Sequence, residues 1–114
     1  MKNKLFVCGV LMLMLSSCAD SGLYSWHDYE DLAYKNSKVS TDKSAKKLLE
    51  EYETMMKRQR GIRRTVPPGL CAEYGYMLIK QNKIEEGKKL LQKEVVLYPE
   101  SEVFIKTILK QLEK

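Results

Sequence analysis

The chain has 114 residues, a formal net charge of +5 and hydrophobic residues at 44% of its positions. This length allows one small domain, and the modest charge excludes the strongly basic balance of a dedicated nucleic-acid binder. Domains of roughly 100 residues bury a thin core, so this one depends on regular helix packing, an anchor or a partner.

The amino terminus has the three parts of a secretory signal peptide. Two lysines precede an apolar run over residues 5–15, and two serines lie directly before Cys18. Small residues before a cysteine resemble the lipobox of bacterial lipoproteins. This resemblance implies cleavage between Ser17 and Cys18 and a covalent lipid on the Cys18 thiol. The apolar run is shorter than the roughly 20 residues of a membrane-spanning helix. An uncleaved signal anchor or a buried core helix is the alternative.

These features divide the chain into a signal peptide at 1–17, a lipidated cysteine and tether at 18–22, and a mature domain at 23–114. Loss of the signal peptide lowers the formal charge to +3. After cleavage and lipidation, Cys71 is the one cysteine that keeps its thiol. Its apolar neighbours favour a buried side chain, and intermolecular pairing is the alternative.

The segment 23–34 is rich in aromatic residues. Trp26, Tyr29 and Ala33 have helical spacing, which predicts a short helix and then a polar break at 36–41. Tryptophan and tyrosine join a large apolar body to a polar tip, so they suit both thin cores and interfaces. Trp26 and Tyr29 are therefore candidate partner contacts, and packing on the following helix is the alternative.

The clearest amphipathic pattern of the chain predicts a second helix over residues 44–60. Thr41 or Ser44 is its expected cap, because hydroxyl side chains accept hydrogen bonds from the first backbone N–H groups of a helix. Gly61 is its expected stop, since glycine is the common residue just past a helix end.

Five cations fall within residues 57–64. The simplest interpretation is a helix end that complements the helix dipole and continues into a solvated loop. The alternative is that this loop, with Arg63 and Arg64, contacts anionic lipid headgroups or an acidic partner.

Pro67 and Pro68 stop any helix before them, because proline removes a backbone donor and restricts the preceding residue. The chain after them has the apolar period of three further helices, over residues 69–81, 84–97 and 102–112. Ser101 is the expected cap of the last one. No segment has the period of a strand, so the sequence predicts an all-α fold.

Residues 68–101 resemble one tetratricopeptide repeat, which is a pair of packed helices. The resemblance places Gly75 and Gly87 where the two helices approach closely, since glycine has no Cβ. Cys71 and Glu94 depart from the repeat, which usually has tryptophan and alanine at these positions. We expect helical hairpins resembling one tetratricopeptide repeat with flanking helices, and an unrelated helical bundle is the alternative.

Tyrosines are unusually frequent for a domain of this size, with seven in the chain. We expect Tyr52, Tyr74 and Tyr98 to pack between helices. A groove lined by Tyr74 and Tyr76 is a further candidate surface for a partner.

Catalytic chemistry has little support in this sequence. His27 is the one histidine of the chain, so a serine or cysteine nucleophile would need it as its base. Neither a second histidine nor a second mature thiol is available to complete a metal-ligand set. We expect no enzyme activity, no metal, no nucleic acid, no small-molecule substrate and no cofactor beyond the covalent lipid on Cys18.

Three blocks are similar to a family of small bacterial lipoproteins of unknown function: LYSWHDYEDLAY at 23–34, VPPGLCAEYGYML at 66–78 and LYPES at 97–101. The resemblance covers essentially the whole mature chain, although Cys71 stands where an aromatic residue is expected. Members tend to be encoded beside a lipoprotein resembling the curli secretion pore, which implies an outer-membrane-associated assembly. The family has no agreed activity, so the resemblance assigns no catalytic residue.

These inferences predict a lipid-anchored adaptor or assembly factor of the cell envelope, with a curli-pore-like lipoprotein complex as its implied partner. A periplasmic peptide-binding or holdase module, and a structural envelope spacer, are the alternatives. Asp directly after the lipid cysteine favours the inner membrane in bacterial sorting. Because Ala19 follows Cys18 here, we expect the outer membrane with the domain facing the periplasm, and surface display is the alternative.

Overall fold

The computed structural model describes residues 2–5 and 22–114. Residues 22–114 form five α-helices and one 3₁₀ turn, and neither described range contains a strand. The elements are α1 (Tyr29–Lys38), α2 (Asp42–Lys57), α3 (Leu70–Lys80), α4 (Ile84–Leu97), the 3₁₀ turn (Pro99–Ser101) and α5 (Glu102–Leu112). Helix α1 packs on α2, and α3 packs along α4. The predicted all-α fold with hairpin-like packing is confirmed.

Helix α1 begins later than the sequence pattern predicted. Trp26 lies in the turn before the helix, where its carbonyl accepts the Tyr29 N–H at 3.1 Å. His27 has a φ of 46°, which takes the backbone off the helical path. The helix then extends three residues into the predicted polar break and ends at Lys38. An ion pair of Lys35 with Asp31, at 2.6 Å, joins two successive turns of this helix.

Thr41 and Ser44 together cap helix α2, where the sequence offered either residue. Thr41 Oγ1 accepts the Ser44 N–H at 3.1 Å, and Ser44 Oγ accepts the Thr41 N–H at 2.9 Å. This reciprocal pair is a capping box.

Gly61 is not the helix stop that the sequence predicted, since α2 ends at Lys57. Its role is close backbone contact with the amino-terminal segment. A Cβ on Gly61 would lie 2.4 Å from the Leu23 carbonyl oxygen. Any side chain at this position would therefore push the two backbones apart.

Helix α3 starts at a buried carboxylate supplied by α4. Gly69, with a φ of 89°, occupies the N-cap position, and its N–H donates to Glu94 Oε1 at 2.6 Å. Glu94 is 2% exposed. The negative charge is favourable here because the amino-terminal end of a helix carries a partial positive charge. Glu94 thus joins the two helices at the point where it departs from the tetratricopeptide pattern.

Gly75 and Gly87 lie against each other where α3 crosses α4. A Cβ on Gly75 would lie 2.7 Å from the Gly87 carbonyl oxygen, and a Cβ on Gly87 would lie 2.5 Å from the Gly75 carbonyl oxygen. These are backbone contacts that no side-chain rotation can relieve. The separation of the two helices therefore depends on the absence of a side chain at both positions.

Ser101 does not cap α5 as the sequence predicted. Its backbone is already helical, and its Oγ donates to the Tyr98 carbonyl at 2.7 Å. The 3₁₀ turn begins at Pro99 and leads directly into α5. Phe104 follows the apolar period of this helix, yet its side chain is 62% exposed.

Two apolar clusters share helix α3. One lies between α1, α2 and α3 and is centred on buried residues that include Tyr52, Met55 and Cys71. The other lies between α3, α4 and α5 and is centred on Ala72, Leu91 and Ile105. Helix α3 therefore connects the two halves of the domain.

Substitution of Gly75 by alanine tests the contact between α3 and α4. Alanine favours helix by up to about 1 kcal/mol over glycine, yet its Cβ meets backbone on α4. Overpacking of this kind costs about 1–3 kcal/mol. We expect Gly75→Ala to lower the midpoint of thermal unfolding, measured by circular dichroism. Lys89→Ala, at an exposed site on α4, is the control, and equal small effects of both changes contradict the close contact.

Candidate functional site

A row of aromatic rings runs from the amino-terminal segment into the core. We call these residues the aromatic row: Tyr24, Trp26, Tyr29, Tyr52 and Tyr74. Adjacent ring centroids are 6.5, 5.5, 6.0 and 5.4 Å apart in that order. These separations are typical of favourable aromatic pairs. The row therefore fastens the segment before α1 to helices α2 and α3.

Glu73 on α3 holds two tyrosines of the row with one oxygen atom. Its Oε2 accepts hydrogen bonds from the Tyr29 hydroxyl at 2.7 Å and from the Tyr52 hydroxyl at 3.1 Å. Burial, together with the hydrogen bond and the charge of Glu73, raises the pKa of Tyr29 to about 12. Burial and the same carboxylate also raise the pKa of Tyr52. Both phenols thus stay protonated and able to donate.

The two residues predicted as partner contacts before α1 have different environments. Tyr29 is half-buried, packs against the first apolar cluster and donates to Glu73. Trp26 lies nearer the outer end of the row and is 41% exposed. Tyr29 therefore has a packing role, and Trp26 keeps an accessible indole face.

An apolar groove lies between α3 and α5. Its volume is about 390 Å³, and it is lined by Gly69, Ala72, Glu73, Tyr76, Phe104 and Ile108. Two aromatic side chains stand at its surface, since Tyr76 is 46% exposed and Phe104 is 62% exposed. Glu73 is the charged residue of this lining, so the same side chain contacts both the aromatic row and the groove.

Tyr74 does not line this groove with Tyr76, in contrast to the surface predicted from the sequence. Two residues apart on an α-helix are separated by about 200° around its axis. Tyr74 accordingly faces α2, where its hydroxyl donates to Glu53 Oε1 at 3.3 Å. Burial and the charge of Glu53 raise the pKa of Tyr74 to about 12. Phe104 on α5 forms the other wall of the groove.

The segment 58–64, which we call the basic loop, lies against the start of the described domain. The Ile62 N–H donates to the Gly22 carbonyl and the Arg63 N–H to the Leu23 carbonyl, both at 3.1 Å. Arg63 and Arg64 are exposed. The structure therefore places these two predicted contact residues beside the amino-terminal segment and not beside the groove.

Cys71 is fully buried, as its apolar neighbours indicated. Its Sγ lies 3.8 Å from Met56 Sδ. Burial, and then the charge of Glu94, raises the pKa of the Cys71 thiol to about 11. Intermolecular pairing through this cysteine would require the domain to open. The predicted cleavage and lipidation residues, Ser17 and Cys18, lie outside the described residues.

His27 has a structural contact, since its Nε2 donates to the Arg58 carbonyl at 2.9 Å. In residues 2–5 and 22–114, no group of three or more His, Cys, Asp or Glu side chains is placed to hold a metal ion. Within the same ranges, no helix has both the length and the apolar character to span a bilayer.

A comparison with known families assigns most of the described domain to a family. The model of a domain of unknown function, DUF4810, matches residues 23–108, a range that includes the aromatic row, the basic loop and the groove. The chain belongs to this family. The expectation of an uncharacterised family is confirmed, while the signature blocks and the gene neighbourhood stay predictions. No curated protein and no solved structure matches the chain.

Substitution of Glu73 by glutamine tests the carboxylate that joins the aromatic row to α3. Removal of the charge lowers the pKa of Tyr29 from about 12 toward its ordinary value without reaching it, because burial is the larger cause. In the unfolded chain the phenol of Tyr29 loses its proton near the ordinary pKa of about 10. In the folded wild type it keeps its proton to a higher pH, so the pH dependence of stability follows from this difference. The stability advantage of the wild type over Glu73→Gln is therefore complete below a pH of about 10 and shrinks as the pH rises through about 12.

Tyrosinate absorbance and urea unfolding at neutral and alkaline pH measure these two effects. Glu113→Gln, at an exposed position after α5, is the matched control and should change neither. An unchanged tyrosine titration in Glu73→Gln contradicts the role of this carboxylate.

Proposed function

We propose that this DUF4810 protein is a lipid-anchored, non-enzymatic adaptor of the bacterial cell envelope that binds a partner protein in the groove between α3 and α5. The exposed aromatic walls of that groove carry the proposal. Tyr76 and Phe104 keep large apolar surfaces in water on facing helices. Tyrosine and other aromatic side chains are enriched at the centres of protein interfaces.

The lining of the groove indicates the chemistry of its partner. Apolar atoms dominate the walls, and Glu73 supplies a carboxylate at one side. Its Oε2 already accepts two tyrosine hydroxyls, which hold the charge in a fixed position. This arrangement suits a segment of an envelope protein that presents apolar side chains next to a lysine or arginine.

The lipobox and the family resemblance supply the finer parts of the proposal. They favour a lipid on Cys18, the outer membrane, a periplasm-facing domain and a curli-pore-like lipoprotein as partner. The tetratricopeptide resemblance is consistent with a groove between α3 and α5, because helices of successive repeats form the binding surfaces of such arrays. The alternative function, a holdase for extended chains, would use the same groove without selecting one partner.

Photo-crosslinking in living cells tests the groove as a partner site. We expect a crosslinking amino acid at Phe104 to capture one envelope protein reproducibly. The same amino acid at Val103 is the control, because this neighbour is 78% exposed and is not part of the groove lining. Phe104→Ser should abolish co-purification of that protein and leave the melting temperature within a few degrees. Weak capture of many unrelated chains from Phe104 favours the holdase, and equal capture from both positions contradicts the site.

Substitution of Cys18 by alanine tests the lipid anchor. Stable attachment to a membrane needs two or more acyl chains, and the lipobox resemblance implies that Cys18 carries them. We expect Cys18→Ala to give an unprocessed or soluble protein, measured by fractionation and mass spectrometry. Cys71→Ala is the matched control and should stay membrane-bound. A Cys18→Ala protein that is processed normally and stays in the membrane fraction contradicts the lipoprotein assignment.

A further inference from the structure

The first described residues of the domain, Gly22 and Leu23, lie against the basic loop and are hydrogen-bonded to it. The Gly22 and Leu23 carbonyls accept the backbone N–H groups of Ile62 and Arg63 at 3.1 Å. Gly61 allows this approach, because any Cβ there would meet the Leu23 backbone. The chain that leads back to Cys18 therefore leaves the domain beside the cations of the loop.

Side-chain hydrogen bonds also hold the amino-terminal segment on the basic loop, and we call this contact the junction. The Gln59 side chain accepts the Ser25 N–H and donates to the Ser25 carbonyl, both at 3.0 Å. The Arg60 N–H donates to Ser25 Oγ at 2.9 Å. These bonds join residues that are more than thirty positions apart in sequence. The loop is thus held in one orientation relative to the amino-terminal segment.

The surface at this junction is basic and partly apolar. No Asp or Glu occurs between Glu53 and Glu73, a stretch that contains five cations, and none occurs in residues 22–27. Leu23 and Ile62 are 54% and 64% exposed beside the exposed arginines of the loop. Exposed aliphatic side chains among cations are the composition that binds the interface of an anionic membrane.

A short tether keeps this surface near the bilayer once the chain is lipidated. Three residues lie between Cys18 and Gly22, so Gly22 is the fourth residue after Cys18, and a fully extended chain covers at most roughly 3.6 Å per residue. A lipid on Cys18 therefore keeps Gly22 within about 14 Å of the lipidated cysteine. From there the long arginine side chains of the loop can reach the roughly 8–10 Å over which a charged membrane surface attracts cations at physiological salt. We propose that Arg60, Arg63 and Arg64, with Leu23 and Ile62, form a second membrane contact that binds anionic phospholipid headgroups.

This inference rests on the lipid anchor of the proposed function, and it adds an orientation of the domain on the membrane. The lipid by itself sets a distance but leaves the domain to rotate. Headgroup contacts at the basic loop fix which end faces the bilayer.

The processed, lipidated protein in vesicles provides the test, with Trp26 as the probe. It is the one tryptophan of the chain, and both of its sequence neighbours bond to the basic loop. Vesicles contain phosphatidylcholine with a headgroup spin label that quenches tryptophan emission, either alone or mixed with phosphatidylglycerol. We expect several-fold stronger quenching in the anionic vesicles, and loss of that difference at high salt.

Two charge-reversed proteins separate a specific surface from general electrostatics. Arg60→Glu, Arg63→Glu and Arg64→Glu together should reduce quenching in anionic vesicles to the level seen in neutral ones. Lys83→Glu, Lys89→Glu and Lys110→Glu, at exposed sites, change the net charge equally and should keep the difference. Circular dichroism checks that both variants are folded. If the triple arginine variant is not folded, variants with one arginine changed to glutamate replace it.

The outcomes also separate this inference from the proposed function. In one outcome, the protein floats with the vesicles while its quenching is the same in neutral and anionic vesicles, or while both charge-reversed variants reduce quenching equally. Either result overturns the membrane contact and leaves the lipid anchor in place. A protein that floats with neither vesicle contradicts the lipid anchor and the contact together. Capture of an acidic envelope protein, and not of phospholipid, by a photo-crosslinker at Ile62 in cells also overturns the inference.

Discussion

The backbone contact between Gly75 and Gly87 is the constraint on which the remaining architecture depends. It brings α3 and α4 together until each glycine meets the carbonyl of the other. This spacing lets Glu94 of α4 reach the Gly69 N–H at the start of α3. The glycine contact and the bond to Glu94 fix α3 on α4, and two other sides of α3 face the remaining elements. One side packs on the aromatic row and α2, and the other meets α5 across the groove.

Glu73 is where these two sides of α3 meet. Its carboxylate accepts tyrosine hydroxyls from the amino-terminal segment and from α2, and the same side chain lines the groove. Because a carboxylate that accepts two hydrogen bonds is held in place, the groove receives a negative charge of defined position. The amino-terminal segment and the candidate partner site therefore share one side chain.

Helix positions could be predicted from sequence because apolar period, prolines and cap residues act locally. The failures concern contacts between distant segments. Gly61 resembles a helix stop, but its approach to Leu23 is set by tertiary packing. Phe104 follows the apolar period of α5, yet no facing side chain covers it and it lines a groove. The separation of Tyr74 from Tyr76 could have been derived, since two residues apart lie on opposite sides of a helix. Glu94 stands where the repeat usually has alanine, which marks the position as unusual but does not predict its burial or its bond to Gly69.

The aromatic row and the junction at the basic loop also determine how the domain responds to mechanical force. Force applied to the chain before Gly22 would first load the two backbone hydrogen bonds that Ile62 and Arg63 donate to Gly22 and Leu23. A later attachment along the chain is the hydrogen bond of Tyr29 to Glu73. The contact of α3 with α4 lies behind both of these attachments. The amino-terminal segment therefore stands between a force on its own start and the α3–α4 hairpin.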